Sequence, residues 1–477
     1  MGISQPLMTD TETTQKKFVT QQLAERPENT SMQQSSLSSV EVGRGSIVAN
    51  IVSTLLLRIA SRTSFVILGF YLGEHFASAT IVAVVLEAFY ISELVLAPAM
   101  GSLSDRLGRK PFLLTAPVLG IGAAVFFLIC ALLFPQPQAD KFDVKLVVLL
   151  LLVLLGRLLE GAATGVNTPA SLGYITDTTT GSAKLRTQVM TAFEVVTVGG
   201  LALAIPFGGQ VSNFLGTWGF LVVVALHVLN LGLIVGFIKE STHHEARADH
   251  GSLVESLRML GNKRIFTFLP AWLSVNALVG AWITLITIVL AYPNPAADMR
   301  FPGQLLYGGF SKGSATMLLG GFGLLFLLGM GLWMLVLPRM RRTTTMLIGL
   351  GGLSISIIVL TLINGLAENP QSIAPQAMTE LIVLLVPLVL GIVLLSGFTP
   401  AALTQMASIA ETQKGKRGAV MGLYSVVLGI GQLLGASLGG MSVDAGGFYG
   451  LMIFSVVLGL LALASVLYMR AHRDDLI

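Results

Sequence analysis

The sequence is poor in charge. Only 11% of its 477 residues are Asp, Glu, Lys or Arg, whereas 53% are hydrophobic, and the mean hydropathy is +0.79. Soluble domains carry about 25% charged residues, so this composition excludes a water-exposed surface over most of the chain. The basic residues are scattered through short segments instead of forming one patch, which excludes a nucleic-acid surface. The sequence therefore predicts a polytopic membrane protein.

Reactive and metal-binding side chains are equally scarce. Cys130 is the one cysteine and lies in an apolar run, which excludes a disulfide framework and a cysteine metal site. The six histidines are dispersed, and the sequence has neither a phosphate-binding Gly-Lys-Ser/Thr loop nor a nucleophile elbow. We expect no enzyme, no metal and no cofactor, so energy for uphill work would come from an ion gradient.

Long apolar runs are abundant. With the N-terminus in the cytoplasm, the cytoplasmic segments hold 22 of the 29 Lys and Arg residues and the outside loops hold 4. This distribution predicts a cell-membrane protein with both termini on the cytoplasmic side. Segment 1–46 is rich in Ser, Thr and Gln and is predicted to be a disordered cytoplasmic tail; 471–477 is the cytoplasmic C-terminus. Twelve runs have the roughly 20 residues that a crossing needs: 48–71, 79–100, 112–134, 146–167, 188–210, 218–238, 265–291, 313–337, 345–365, 381–405, 419–441 and 449–469.

The polar segment 239–264 divides the chain into two six-helix halves, 47–238 and 265–470. An offset of 231 residues lays the fifth predicted span over the eleventh without gaps and pairs Arg186 with Arg417. Two related halves that pack through small residues are typical of alternating-access transporters. The same register pairs Gly208 with Gly439 and Gly209 with Gly440, and these glycines, with Pro206, are the predicted helix-packing positions.

The segment 101–110, with the pattern G-x-L-x-D-R-x-G-R-K, separates the second and third predicted spans. Its glycines allow backbone angles that a Cβ disfavours, and Asp105 can accept hydrogen bonds from Arg109 or from a helix N-terminus. The pattern resembles the loop between helices two and three of major facilitator superfamily transporters at every fixed position. The resemblance implies an all-α membrane fold of twelve helices in two pseudo-symmetric six-helix bundles. It also implies a conformational gate at Gly101, Asp105, Arg106, Gly108, Arg109 and Lys110, of which 338–342 is a weakened copy without the Asp.

Ionisable residues inside the predicted spans are confined to the first half. Such residues are costly in a bilayer and face a protein interior or a water-filled cavity. Two interpretations stay open for them: ion pairs that hold the bundle together, or sites that change protonation during transport. The seven residues are Arg58, Arg62, Glu87, Glu93, Arg157, Glu160 and Glu194.

The run Gly156 to Gly161, G-R-L-L-E-G, resembles the fourth-helix motif R-x-x-Q-G of proton-coupled members of the superfamily. Glu160 replaces the usual Gln and adds a titratable group, so it is our first choice for the coupling carboxylate. The fifth span resembles the antiporter motif in part, because Ile205 stands where a Gly precedes the Pro and one residue is missing before the glycine pair. The predicted proton-coupling residues are Arg157, Glu160, Glu194 and Glu87.

The second half contributes aromatic and weakly polar residues, which suit amphiphilic organic molecules better than a sugar. We predict proton-coupled efflux similar to drug:proton antiporters, by a monomer whose partners are a small-molecule substrate, protons and the lipid bilayer. Two alternatives remain: a symporter or uniporter that imports an organic anion, and a non-transporting receptor on the same fold. The predicted substrate-binding residues are Arg58, Arg62, Glu93, Asn276 and Gln432.

Overall fold

A computed structural model describes Gly2 and residues 44–76, 78–135, 144–179, 182–241, 261–291, 301–366, 375–412 and 417–472. Over these residues the chain is helical and has no strand. Arg44–Ile477 forms one compact unit, and most of the predicted tail and of the predicted central loop 239–264 lies outside the described residues. The helices are α1 (Arg44–His75), α2 (Ala79–Glu87), α3 (Phe89–Leu107), α4 (Arg109–Leu133), α5 (Val144–Thr178), α6 (Ala183–Leu215), α7 (Phe220–Phe237), α8 (Lys263–Ala291), α9 (Lys312–Val336), α10 (Arg342–Asn364), α11 (Pro375–Leu395), α12 (Phe398–Thr412) and α13 (Arg417–Ala471).

Among the described residues, ten stretches are long and apolar enough to cross a membrane. Two of them, Gln188–Phe237 with 50 residues and Val426–Ala471 with 46, are about twice the length of one crossing. The first contains a 3₁₀ turn, and the second is broken at Gly447, where φ is +62°. A Cβ on Gly439 would lie 3.4 Å from Phe454, whereas a straight helix would separate these residues by about 22 Å. The chain therefore doubles back at Gly447. With two crossings in each of these two long stretches, the described residues contain the predicted twelve crossings.

The second crossing, predicted over 79–100, is interrupted at one residue, Ala88, whose backbone angles remain helical. Helix α2 ends at Glu87 and α3 begins at Phe89. At the junction the Ala88 N–H donates to the Val84 carbonyl, and the Ile91 N–H donates to the Ala88 carbonyl three residues back. The first of these bonds has the α-helical spacing, whereas the second is one residue tighter and interrupts the ladder.

Helices α6 and α13 make related contacts at positions 231 residues apart. A Cβ on Gly209 would lie 1.6 Å from Thr316 Oγ1 on α9, and a Cβ on Gly440 would lie 2.7 Å from Thr80 Cα on α2. In both cases a helix of one half meets the other half at a glycine, which allows the two helices to approach closely. The remaining predicted packing residues also lie at such contacts: Gly208 approaches Thr63 on α1, Gly439 approaches Ala281 on α8, and Pro206 lies against Gly320 on α9.

Candidate functional site

A buried arginine occupies the break in the second crossing. Arg157 on α5 is 2% exposed and donates from Nε and Nη2 to the Leu86 carbonyl, at 2.8 and 2.5 Å. The guanidinium lies 5.5 Å from the ring centroid of Phe65 and 5.1 Å from that of Phe89. A helix end leaves carbonyl groups without intrahelical donors. The arginine supplies hydrogen bonds to one of them, the Leu86 carbonyl, and so attaches the end of α2 to α5.

The same arginine forms an ion pair with the carboxylate predicted to couple protons. Arg157 Nη1 donates to Glu160 Oε2, three residues along α5. Ser61 and Ser64 on α1 lie close enough to this carboxylate to interact with it, but within the described part of the chain Oε1 accepts no hydrogen bond of standard geometry. The pair is neutral as a unit, and one buried acceptor remains open to water or a proton.

Glu87 joins the break to the second half of the protein. It is the last residue of α2 and is 2% exposed. Its Oε1 accepts a hydrogen bond of 2.5 Å from Thr284 Oγ1 on α8, whereas Oε2 has no partner among the residues that the structure covers. The carboxylate therefore lies at the contact between the two halves, with one of its two oxygens hydrogen-bonded.

A hydrogen-bonded relay crosses between the halves beside Glu87. Arg62 Nη2 donates to the Tyr90 hydroxyl at 3.0 Å, and that hydroxyl donates to Gln432 Oε1 on α13. One turn before Arg62, Arg58 Nη2 lies 3.5 Å from Thr168 Oγ1 on α5. The structure thus brings five predicted site residues to the break: Arg62, Glu87, Arg157, Glu160 and Gln432.

The other predicted residues differ in how closely they join this group. Glu93 lies near enough to Arg58 and Arg62 to interact with both charges. Asn276 is buried on α8 and donates from Nδ2 to the Trp272 carbonyl of its own helix at 2.7 Å. The side chain of Glu194 lies outside the described residues, so its predicted role in proton coupling stays a prediction.

The segment 101–110 contains a turn of one residue. Helix α3 continues to Leu107 and α4 begins at Arg109, so the decapeptide expected to form a turn consists of two helix ends joined at Gly108. Gly108 has φ +97°, and a Cβ there would lie 3.0 Å from the Glu240 carboxyl carbon. A glycine is required here for both conformation and space.

Arg109 is the centre of the polar contacts at this turn. It forms an ion pair with Asp105 and donates from Nη1 to Ser104 Oγ at 2.7 Å. It also donates from Nε to Asp177 Oδ2 on α5, at 3.1 Å. Gly173 on α5 makes room, since a Cβ there would lie 2.2 Å from Arg109 Cζ. Sequence reasoning missed Asp177, an acidic residue at the end of the fourth crossing.

The start of α4 is capped by a residue that sequence reasoning also missed. Glu240 Oε1 accepts a hydrogen bond of 2.7 Å from the Arg109 backbone N–H, and Oε2 accepts one of 3.2 Å from the Lys110 N–H. A carboxylate at a helix N-terminus complements the partial positive charge there. The remaining predicted gate residues are placed as follows: Arg106 is exposed, and a Cβ on Gly101 would lie 3.3 Å from Pro169 on α5.

In the weakened copy of the second half, Arg342 contacts neutral groups. Arg342, the first residue of α10, donates from Nη1 to Gln405 Oε1 at 3.2 Å and to Ser408 Oγ at 2.5 Å. Ser408 follows Asp177 by 231 residues. In each half an arginine at the start of one crossing therefore contacts the end of the next crossing, at a carboxylate in the first half and at a hydroxyl in the second.

The family model described as Major Facilitator Superfamily matches residues 51–310 and 301–476. The chain belongs to the major facilitator superfamily. It is accordingly a multi-pass membrane protein with the fold of small-molecule transporters, as the 101–110 pattern predicted. No curated protein matches the sequence.

Solved structures of other superfamily members share the fold at low sequence identity. A mutant of the nucleoside transporter NupG has a TM-score of 0.63 at 13% identity, over 88% of this chain and 99% of that one. A D-xylose-proton symporter has 0.59 at 16%, over 89% and 97%. A mutant of the peptide transporter POT in complex with sulfate has 0.61 at 15%, over 90% and 94%. At these identities the likeness shows the fold alone.

At the end of the superfamily fold opposite segment 101–110, Asp444 on α13 caps α2 from the other half. Its Oδ1 accepts a hydrogen bond of 2.7 Å from the Ala79 N–H. Its Oδ2 accepts bonds from the Ser78 hydroxyl at 2.7 Å, the Thr80 hydroxyl at 2.6 Å and the Thr80 N–H at 3.1 Å. Four hydrogen bonds and a helix N-terminus thus converge on one carboxylate.

An ion pair also joins the halves at the Asp444 end. Lys312 Nζ, at the start of α9, lies 2.5 Å from Glu74 Oε1 on α1, and the same ammonium lies 5.7 Å from the ring centroid of Phe70. Both side chains are partly exposed, so this pair contributes less than Asp444 to holding the halves together.

Within the described residues, no group of three or more His, Cys, Asp or Glu side chains could hold a metal ion. The chemistry that the site offers is proton transfer and the exchange of hydrogen-bond partners around the helix break.

Glycine on α5 is what allows the break and Arg157 to meet. A Cβ on Gly161 would lie 2.1 Å from the Phe89 carbonyl oxygen. We expect Gly161→Ala to lower the free energy of unfolding by about 1–3 kcal/mol, because the two helices must separate. Thermal unfolding in detergent measures this, with Gly122→Ala as control, since nothing lies within 4 Å of a Cβ there. Equal unfolding temperatures for the two variants would contradict this packing.

Proposed function

We propose that the protein is a proton-coupled secondary transporter that exports amphiphilic organic molecules by alternating access. The observation that carries the proposal is the buried Arg157–Glu160 pair attached to the break in the second crossing. In a buried site, protonation of Glu160 removes the charge that holds one guanidinium nitrogen. The arginine is then free to redistribute its hydrogen bonds over the helix break.

The break connects this event to the second half. Arg157 binds the Leu86 carbonyl, the next residue is Glu87 with its hydrogen bond to Thr284, and Tyr90 follows with its bond to Gln432. A change in the hydrogen bonds from Arg157 to the Leu86 carbonyl would therefore alter two contacts between the halves within one helical turn. Packed interfaces have discrete arrangements, so such a shift favours one orientation of the halves over another.

The ends of the fold supply the two gates in this proposal. Asp444 joins the halves at the end that the distribution of basic residues predicts to be extracellular. Asp105 and Arg109 stabilise the opposite, cytoplasmic end in one state of the cycle. Alternating access requires one end to open as the other closes.

The distribution of charge supports an amphiphilic substrate. The first half supplies every charged group of the site, whereas the second half supplies Thr284 and Gln432, which are neutral. Such a cavity offers few hydrogen bonds to a polyhydroxylated molecule and combines a charged wall with a weakly polar one. The partial antiporter motif around Pro206 favours export.

The test is Glu160→Gln in inverted vesicles energised by a proton gradient. We expect the variant to lose proton release on addition of amphiphilic cations and to retain exchange of substrate across the membrane, because exchange needs no proton transfer. Glu380→Gln, at an exposed position of α11, is the control and should behave as the parent protein. Unchanged pH-driven transport in Glu160→Gln would rule out the coupling role.

Proton symport of an organic anion is the second candidate. Arg58 and Arg62 lie one turn apart on α1 and face Glu93, and one solved structure of the same fold is described as a D-xylose-proton symporter. In this case Arg58→Gln combined with Arg62→Gln would abolish binding of an organic anion and spare an amphiphilic cation. The proposed export predicts that an anion panel fails with the parent protein as well.

A further inference from the structure

Polar side chains of α1 and α5 face each other in an antiparallel arrangement that we call the α1–α5 seam. Asn50 Nδ2 donates to the Ser171 carbonyl at 3.3 Å, and Thr54 Oγ1 lies 3.5 Å from Ser171 Oγ. Nearer the 101–110 end, Ser46 faces Tyr174. The pairs progress in opposite directions along the two helices, so the seam is a continuous stripe of polar contacts.

The seam ends at the proposed coupling carboxylate. Ser61 and Ser64, further along α1, face Glu160. Ser46 and Ser64 are 18 positions apart, which is about 27 Å of α-helix. The stripe therefore leads from the 101–110 end of the protein to Glu160 through most of a bilayer's hydrocarbon thickness.

Buried polar atoms without partners are concentrated along the seam. The residues that carry them are at most 2% exposed. A buried polar atom without a hydrogen bond destabilises the folded state, and native proteins place ordered water at such atoms. Among the described residues, the seam atoms without a hydrogen bond or a named neighbour are Asn50 Oδ1, Ser53 Oγ and Asn167 Oδ1. Ser64 Oγ, Glu160 Oε1 and Tyr174 Oη also form no hydrogen bond of standard geometry, although Ser64 lies close to Glu160 and Ser46 lies close to Tyr174.

We propose that a file of water molecules occupies the α1–α5 seam and carries protons between the solution at the 101–110 end and Glu160. The proposal deepens the proton-coupled transport proposed above and rests on it. Each water forms an O–H bond with the proton it accepts and breaks another as it donates to the next water, so the net result is the movement of one proton along the file. The charged groups beside the file are Arg157, paired with Glu160, and Arg58, which reaches Thr168 on α5 and interacts with Glu93.

The seam is separate from the substrate's route in this proposal. Its polar side chains are too deeply buried to contact an organic molecule, whereas a water molecule needs little more than one probe sphere of space and two to four polar partners. Protons would thus reach Glu160 while the substrate occupies the space between the two halves. Coupling then needs no competition between proton and substrate for one opening.

Silver ions and a bulky thiol reagent distinguish a water-wide path from a cavity. In a Cys130→Ala background, Ser53→Cys and Asn167→Cys should react with Ag⁺ but not with a trimethylammonium-ethyl methanethiosulfonate. The parent protein is the control, since Cys130 is 1% exposed within an apolar cluster and should react with neither. If Ag⁺ reacts at neither position, the seam is dry and the proposal is overturned. Equal reaction with both reagents means an open cavity and overturns it too.

Hydrogen–deuterium exchange of the Glu160 carboxyl group tests the proton path without any substrate. The carbonyl band is assigned by infrared difference against Glu160→Gln at acidic pH. We expect Asn167→Leu to slow exchange about tenfold, because it removes a polar partner of the water file. Asn230→Leu on α7 is the matched control, since this amide is also fully buried and unpartnered among the described residues, and it should leave the rate unchanged.

The two proposals fail in different ways. Rapid exchange in Asn167→Leu would place the proton path elsewhere and leave Glu160 as the coupling group. A wet, exchanging seam together with unchanged pH-driven transport in Glu160→Gln would instead refute proton coupling through Glu160.

Discussion

Replacement of Arg157 by methionine is expected to destabilise the protein by about 3–5 kcal/mol, because it leaves a buried carboxylate without its counter-ion. Arg157 is 2% exposed and binds Glu160 and the Leu86 carbonyl at once. The substitution therefore removes both the charge partner of Glu160 and the donors that satisfy the helix break. Thermal unfolding in detergent and the monodisperse fraction in size-exclusion chromatography measure the loss.

A double variant separates the charge from the break. Arg157→Met combined with Glu160→Met removes both charges, so we expect it to recover most of the lost stability. About 1–3 kcal/mol should remain missing, because the Leu86 carbonyl still lacks its donors. The double variant should not recover proton-coupled transport. A double variant no more stable than Arg157→Met would mean that packing of the arginine, and not its charge, holds the site together.

The crossings of the membrane and the buried charges were predictable from sequence. A bilayer requires about 20 apolar residues per crossing, so hydropathy alone marks where the helices are. An ionisable residue within such a run is conspicuous for the same reason. This is why Arg157, Glu160, Glu87 and Arg62 could be selected before their surroundings were known.

The break at Ala88 was not predictable in the same way. The sequence around it has no Gly or Pro to mark a kink, and the break is satisfied by Arg157, which is 71 positions from Leu86. The donors at this point thus come from a tertiary contact, and no local sequence pattern records that contact.

The partners of the predicted gate residues were missed for a related reason. Glu240 is separated from Arg109 by 131 positions and Asp177 by 68. Acidic residues at the ends of crossings are common, and nothing in their local sequence distinguishes a cap from a solvated side chain. Segment 101–110 could be selected from its sequence pattern, whereas the carboxylates that contact it are determined by the fold.

Asp444→Ala is expected to release the two halves at the end opposite segment 101–110. Loss of the cap on α2 costs about 0.5–2 kcal/mol, and loss of a partly buried charge at the helix N-terminus costs up to about 2 kcal/mol more. These costs apply only to the state in which the halves meet there. About 2–3 kcal/mol would shift the equilibrium roughly 30- to 150-fold towards the state open at that end.

Spin labels at Lys145 and Gln376 in a Cys130→Ala background measure this shift as a distance distribution. These positions lie at exposed starts of α5 and α11, one in each half, at the Asp444 end. Asn213→Ala is the matched control, because Asn213 occupies the position of α6 that lies 231 residues before Asp444 and is exposed. The control should keep the parent distribution. Asp444→Asn keeps an oxygen acceptor and loses the charge, so it should shift the distribution less than Asp444→Ala.

If Asp444→Ala left the distances unchanged, the Lys312–Glu74 pair and the glycine contacts would have to hold this end closed without the cap. We do not expect that outcome, because a partly exposed ion pair contributes only about 0–1 kcal/mol. The double variant Lys312→Gln with Asp444→Ala then shows whether the ion pair and the cap act independently. If the shifts in the distance distribution add, the ion pair and the cap hold the halves together independently. If the distribution shifts only in the double variant, either contact alone is sufficient.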